Sequence, residues 1–106
     1  MFDKEKPERL FYRIKEVCDI TGLKPHVLRY WEQEFKNIRP AKSPKGHRLY
    51  RRSDLETILT IKKLLYEDRF TIDGAKKYLA QRKNLLDEIR RDLEEILMIL
   101  KGKNED

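Results

Sequence analysis

Residues Lys36–Arg52, KNIRPAKSPKGHRLYRR, carry seven basic side chains and no acidic one: Lys36, Arg39, Lys42, Lys45, Arg48, Arg51 and Arg52. Such a run repels itself in a compact domain unless a polyanion lies opposite it. Within it, Ser43-Pro44-Lys45-Gly46 has Ser at the first turn position, Pro at the second and Gly at the fourth, the signature of a tight turn. The flanks Asn37-Ile38-Arg39 and His47-Arg48-Leu49-Tyr50 suit two short strands, so the stretch reads as a basic hairpin. A basic hairpin directly after an amphipathic helix predicts a wing that lies along a nucleic-acid backbone.

The preceding helix is predicted over Pro25–Lys36, with Pro25 at the first position, where its missing N–H costs nothing. At about 100° per residue, Val27, Leu28, Trp31 and Phe35 share one quadrant and form the buried face. His26, Arg29 and Gln33 point the other way, with Tyr30 and Lys36 on the flanks. A shorter helix over Lys15–Ile20 comes before it, joined through Thr21-Gly22-Leu23, where the glycine suits a left-handed helix end. Order begins in a strand at Phe11–Ile14, after a charged, loosely held arm over residues 1–10. Helix, short turn and helix with a polar and basic outer face make a helix-turn-helix pattern.

Downstream of the hairpin, Ser53-Asp54-Leu55-Glu56 reads as a capping box in which Ser53 caps and Glu56 reaches back. The helix it opens runs to about Glu67 and buries Leu55, Ile58, Leu59, Ile61 and Leu65, until Arg69-Phe70 breaks it. Thr71 caps a shorter helix to about Ala80, with Ala75, Tyr78 and Leu79 inward. A last helix is predicted over Asn84–Lys101, with Asn84 at its start and Gly102 at its stop. There Leu86, Ile89, Leu93, Ile96 and Leu100 recur at 3-4-3-4 spacing and Leu97 widens the stripe. A helix of that length is marginal alone in water, so its stripe calls for a second copy in a two-fold, antiparallel dimer.

Charge divides the chain in the same way. Residues 1–80 hold 19 Lys and Arg against 12 Asp and Glu, while residues 81–106 hold 6 against 7. The basic body suits a polyanion and the neutral segment suits protein. No apolar run reaches the length of a membrane span and no secretory leader opens the chain, which predicts a cytoplasmic, nucleoid-associated protein. Cys18 is the lone cysteine, so it reads as a small core residue, not a sensor or part of a zinc cluster. The two histidines sit among cations, which disfavours a metal. No triad, carboxylate pair or phosphate-binding glycine loop is present, and neither an enzyme nor a cofactor site is expected.

The order of elements and five sequence blocks resemble the MerR family of bacterial transcription regulators. The blocks are Tyr12-Arg13-Ile14-Lys15-Glu16-Val17, Thr21-Gly22-Leu23, Leu28-Arg29-Tyr30-Trp31-Glu32, Gly46-His47-Arg48-Leu49-Tyr50 and Thr71-Ile72-Asp73-Gly74-Ala75. The resemblance implies a mostly α, winged helix-turn-helix protein with a small β-hairpin wing and a C-terminal dimerisation helix. It places Arg29 and Tyr30 on the recognition helix, the first wing at Lys42–Arg48 and the second at Phe70–Lys77. It also implies dimers on pseudo-palindromic double-stranded DNA, which bend and untwist promoters for RNA polymerase. The chain departs from the pattern at Lys24, where a Ser or Thr cap is usual, and at Trp31, more often Tyr. It also shows no effector segment beyond Lys101.

The domain reading is therefore an arm at 1–10, a winged-helix body at 11–80, a dimerisation helix at 81–101 and a tail at 102–106. Base-edge contacts are expected from His26, Arg29 and Gln33, since Arg pairs guanine and Gln pairs adenine bidentately. Backbone contacts are expected from Tyr30, Lys36, Arg39, Lys42, Lys45, His47, Arg48, Tyr50 and Arg51. Within the hairpin, Arg48 and Tyr50 are expected to face outward and Leu49 inward. The alternative in the same chemistry is an architectural or excisionase-like DNA-bending protein. In a different class, the last helix would dock a protein-interaction module on a larger partner.

Overall fold

In Phe11-Tyr12-Arg13 only the middle side chain is buried, the alternation of a strand with one face on a core. The computed structural model describes residues 9–104, and within it this segment is β1. The expected arm falls largely on residues 1–8, and the end of the expected tail on 105–106, which lie outside the described residues. The chain divides into two units between Ile72 and Asp73.

In the first unit the elements run β1, α1 (Ile14–Thr21), α2 (Pro25–Glu34), β2 (Ala41–Lys42), β3 (Arg48–Arg51) and α3 (Arg52–Lys62). A π-helical segment over Lys63–Glu67 extends α3. The three strands form one antiparallel sheet in the order β1-β3-β2. Tyr12 lies opposite Tyr50, and Leu49 lies opposite both Arg13 and Ala41. Thus the short N-terminal strand and the wing belong to a single sheet. Tyr12, Val17, Leu23, Leu28, Trp31, Phe35, Ile38, Tyr50, Leu55, Ile58, Ile61 and Leu64 make its core.

The helix-turn-helix is held at its corner by polar contacts as well as packing. Gly22 takes φ +75° and donates its N–H to Cys18 O at 2.8 Å, the left-handed end expected of it. Buried Thr21 donates its hydroxyl to Val17 O and accepts from Leu23 N–H. Lys62 Nζ, at the end of α3, donates to Thr21 O, so a cation meets the carbonyl end of α1. Trp31 lies on the apolar face, its ring tilted at 57° to Tyr66 with centroids 6.1 Å apart. Its place there makes the departure from tyrosine a matter of packing. At the start of α1, Glu16 accepts from Arg13 N–H at 3.1 Å and pairs with Arg9. The Arg13 hydrogen bond, and then Arg9, hold its carboxyl below the usual range. This support is therefore present above the carboxyl's unfolded pKa and is lost as pH falls through its lower folded value.

Five local readings are corrected. The residues before the turn do not form a strand at Asn37–Arg39. Ile38 turns into the core, Arg39 N–H goes to the Asp54 carboxylate at 3.0 Å and Pro40 has no N–H, so pairing starts only at Ala41. Ser53 does not cap α3. The cap position is Arg51, whose N–H donates to Asp54 Oδ2 at 2.9 Å, and Glu56 lies beyond the box. The hairpin parity is inverted: Tyr50 is fully buried, and Leu49 is only half-buried. Tyr50 faces inward because it pairs with Tyr12 on the core side of the sheet. The recognition helix stops at Glu34, short of Lys36, with Phe35 in extended conformation at its end.

The fifth correction concerns the C-terminal helices, which are one. Helix α4 runs unbroken over Ile72–Asn104, so Asn84 and Gly102 are interior rather than start and stop. Gln81, Arg82 and Lys83 are good helix formers, and continuing a helix avoids a second costly nucleation. Arg69 breaks the preceding helix as expected, in the left-handed region at φ 57°. Ala75 and Leu79 are buried, but Tyr78 is exposed. Beyond Ala80 every described apolar side chain is exposed, including Leu86, Ile89, Leu93, Ile96, Leu97 and Leu100. Among the described residues no helix is long and apolar enough to cross a membrane.

Candidate nucleic-acid interface

Helix α2 divides cleanly between a face that packs and a face that does not. Leu28 and Trp31 are buried, with Phe35 following, while His26, Arg29, Tyr30 and Gln33 are all exposed. The side chains predicted to reach base edges are thus together on one outer face. The N-terminal end of α2 lacks a side-chain cap at Lys24. The Lys24 carbonyl accepts from both Val27 and Leu28 N–H, at 3.1 and 3.2 Å.

The tip of the wing is the predicted tight turn. Gly46 takes φ +84° and donates to Ser43 O at 2.8 Å. Ser43 N–H donates to His47 O, and its hydroxyl oxygen accepts from His47 N–H at 3.1 Å. A side chain at position 46 would have open space but a strained backbone, so conformation selects glycine there. This rigid tip leaves Lys42, Lys45, His47 and Arg48 exposed.

At the base of the wing the cations are partly engaged. Arg51 Nη1 donates to Arg39 O at 3.3 Å, and Arg39 Nε donates to Lys36 O at 3.0 Å. These contacts staple the loop after α2 to β3 and leave both residues, and Lys36, exposed and charged. Tyr50 differs from the rest of the predicted backbone set. Its hydroxyl donates to Glu32 Oε2 at 3.1 Å, and burial, then the Glu32 charge, push the phenol above its usual pKa. It is a core residue that locates the wing, and it drops out of the contact set.

Two carboxylates just outside Lys36–Arg52 hold the wing, one through a side-chain charge and one through backbone N–H groups, while Glu56 pairs with Arg52 at 3.6 Å. Glu32 on α2 accepts from Arg48 Nε at 3.2 Å as well as from Tyr50, and its side chain is only 11% exposed. Asp54 on α3 accepts the N–H groups of Arg39 and Arg51, the two ends of the wing. Both lie just outside the basic stretch, at its two sequence borders. Glu32 lies in the motif Leu28-Arg29-Tyr30-Trp31-Glu32 and Asp54 in Ser53-Asp54-Leu55-Glu56. Neither revealed its partners, which are 16 to 18 residues away for Glu32 and 15 residues away for Asp54 through Arg39.

Cys18 is half-buried on α1, and burial, then Asp19, push its thiol above the ordinary value against a smaller opposing effect from Arg29. A raised pKa means less thiolate at neutral pH. Cys18 is therefore expected to react with iodoacetamide at pH 7.5 more slowly than free cysteine does. Alkylation at the free-thiol rate would contradict the burial seen here.

An exposed polar helix face with a cationic hairpin locked beside it is the arrangement of a winged helix-turn-helix DNA-binding protein. Residues 12–82 match the MerR HTH regulatory protein family, and the chain belongs to that family. It is 29% identical over 70 residues to the HTH-type transcriptional repressor CarH of Myxococcus xanthus, covering 66% of this chain and 23% of CarH. It is 28% identical over 93 residues to the nodulation protein NolA of Bradyrhizobium elkanii, covering 88% of this chain and 42% of NolA. A third relative, the transcriptional regulator MlrA of Escherichia coli, is 33% identical over 52 residues, 49% of this chain and 21% of MlrA. The chain thus spans less than half the length of these curated relatives.

Proposed function

We propose that this chain is a sequence-specific double-stranded DNA-binding transcription regulator that acts as a homodimer and distorts promoter DNA. The observation that carries this reading is the outer face of α2, with His26, Arg29, Tyr30 and Gln33 exposed beside a cationic wing tied to it through Glu32. His26, Arg29 and Gln33 contact base edges in the major groove. Tyr30, Lys36, Arg39, Lys42, Lys45, His47, Arg48 and Arg51 hold the flanking backbone, through phosphates that fix register without reading sequence. The apolar stripe of α4, Leu86, Ile89, Leu93, Ile96, Leu97 and Leu100, meets the same stripe of a second copy. Two-fold symmetry then matches a pseudo-palindromic operator in the nucleoid, where deforming the promoter presents it to RNA polymerase.

Two substitutions test the division of labour. Arg29→Ala is expected to cost about 1–3 kcal/mol at the preferred site and to relax preference at one or two base pairs. Lys45→Ala is expected to weaken all sequences alike and to lower the salt slope by about 0.9. Binding of every sequence by Arg29→Ala with wild-type affinity would remove α2 from the groove. Footprinting addresses the promoter role. One protected pseudo-palindrome between promoter elements supports regulation, whereas clustered, sequence-tolerant protection would favour an architectural DNA-bending protein.

A further inference from the structure

Glu32 is an anomaly on a surface read as polyanion-binding. It is a carboxylate one helical turn beyond Arg29, and it pairs with a cation of the wing that is expected to grip phosphate. Its exposure is low, 11% for the side chain against 41% for Arg48, and each of its oxygens has its own donor. Oε1 accepts from Arg48 Nε and Oε2 accepts from the hydroxyl of fully buried Tyr50. The two donors sit on β3 two residues apart and so share one face of the strand, Arg48 at its exposed end and Tyr50 buried. The carboxylate therefore ties the recognition helix to two successive side chains on one face of the wing strand.

The contact with Arg48 engages Nε only, so the two terminal nitrogens make no hydrogen bond among the described residues. A guanidinium held by Nε keeps its terminal fork directed away from the carboxylate, which is the edge suited to a phosphate. At the same time the negative charge beside it offsets its attraction for any polyanion. The pairing thus does two things: it sets where Arg48 stands relative to α2, and it lowers the sequence-independent pull of that arginine on any DNA.

We propose that Glu32 is a specificity-determining positioning residue, which trades non-specific affinity for alignment between the wing and the recognition helix. The inference rests on the DNA-binding reading given above. It implies that the wing is placed by the helix, not by phosphate alone, and that Tyr50 is the second anchor of the same device.

The test uses the full chain and two probes: a duplex selected by the wild-type chain from a random-sequence pool, and a scrambled duplex of the same composition. Glu32→Gln keeps the shape and an acceptor oxygen for Tyr50 but removes the charge. It is expected to bind the scrambled duplex more tightly and to bring Arg48 onto one further phosphate. Its salt slope there should steepen by about 0.9, and its preference for the selected duplex should fall. In an Arg48→Gln background the same change should leave the salt slope unaltered. Tyr50→Phe, which keeps the ring, should lower the preference without steepening the slope. Equal weakening of both duplexes by Glu32→Gln, with a lowered unfolding temperature, would show a structural role only and overturn the proposal. Unchanged slope and preference would overturn it as well. Failure of the wild-type chain to bind either duplex would instead overturn the DNA-binding reading, and the inference with it.

Discussion

Replacing Leu93 by glutamate is expected to leave a folded chain that is monomeric and has lost most of its affinity for a two-half-site operator. Leu93 is 56% exposed on α4, at the middle of the stripe that runs from Leu86 to Leu100. Glutamate is a good helix former, so the helix itself loses little. In a two-fold dimer the change enters twice, and each copy places a charge in an apolar seam without a partner. With the dimer gone, the second half-site no longer binds as an intramolecular event, and affinity for the full site should fall by about 10² to 10⁴. Sedimentation gives the mass, circular dichroism the helix content and titration with operator DNA the affinity. A Leu93→Glu chain that still sediments as a dimer at micromolar concentration would place the interface elsewhere.

The second large effect is expected on stability. Asp54 is 4% exposed and accepts two backbone N–H groups, from Arg39 at 3.0 Å and Arg51 at 2.9 Å. One caps α3, and the other closes the loop that leads into the wing. Asp54→Ala would leave both donors without an acceptor, a loss of about 2–4 kcal/mol given the usual cost of charge-assisted hydrogen bonds. In a domain of this size that lowers the unfolding temperature by about 10–20 °C. Asp54→Asn keeps one carboxyl-type oxygen in place and should fall between the two. Urea unfolding measures all three chains. An alanine variant as stable as wild type would mean that the wing is held by its packing alone. Ser53→Ala, at the position that the sequence pattern marks as the cap, is expected to change stability little.

That contrast between Ser53 and Asp54 shows where sequence reading reaches its limit. The pattern Ser53-Asp54-Leu55-Glu56 signals a helix start correctly, and a helix starts there. Which residue caps depends on where the chain enters, and here β3 ends at Arg51, which becomes the cap two residues before the position the pattern suggests. The same holds for Leu49 and Tyr50. Alternation along a strand was legible, but its phase depends on the partner strand. Here the phase is set by Tyr12 opposite Tyr50, a pairing across 38 positions. By contrast, the turn at Ser43–Gly46 and the left-handed Gly22 follow from local chemistry, and both appear as expected. The outer face of α2 was legible for a similar reason: helical periodicity alone separates Leu28 and Trp31 from His26, Arg29 and Gln33.

The basic stretch Lys36–Arg52 was legible as a wing because its charge and its turn are properties of adjacent residues. The carboxylates that hold it were not, because Glu32 and Asp54 come from the helices on either side, one meeting the Arg48 side chain and the other the backbone N–H groups of Arg39 and Arg51. What the amino-acid sequence determined by itself is thus every feature with a local cause: the helical faces, the turns, the charge and the membership in a family. What only the tertiary structure decided is strand phase, the capping partner, the fusion of the last two helices and the carboxylates that hold the wing. Those depend on contacts between distant residues, whose energies no local periodicity encodes.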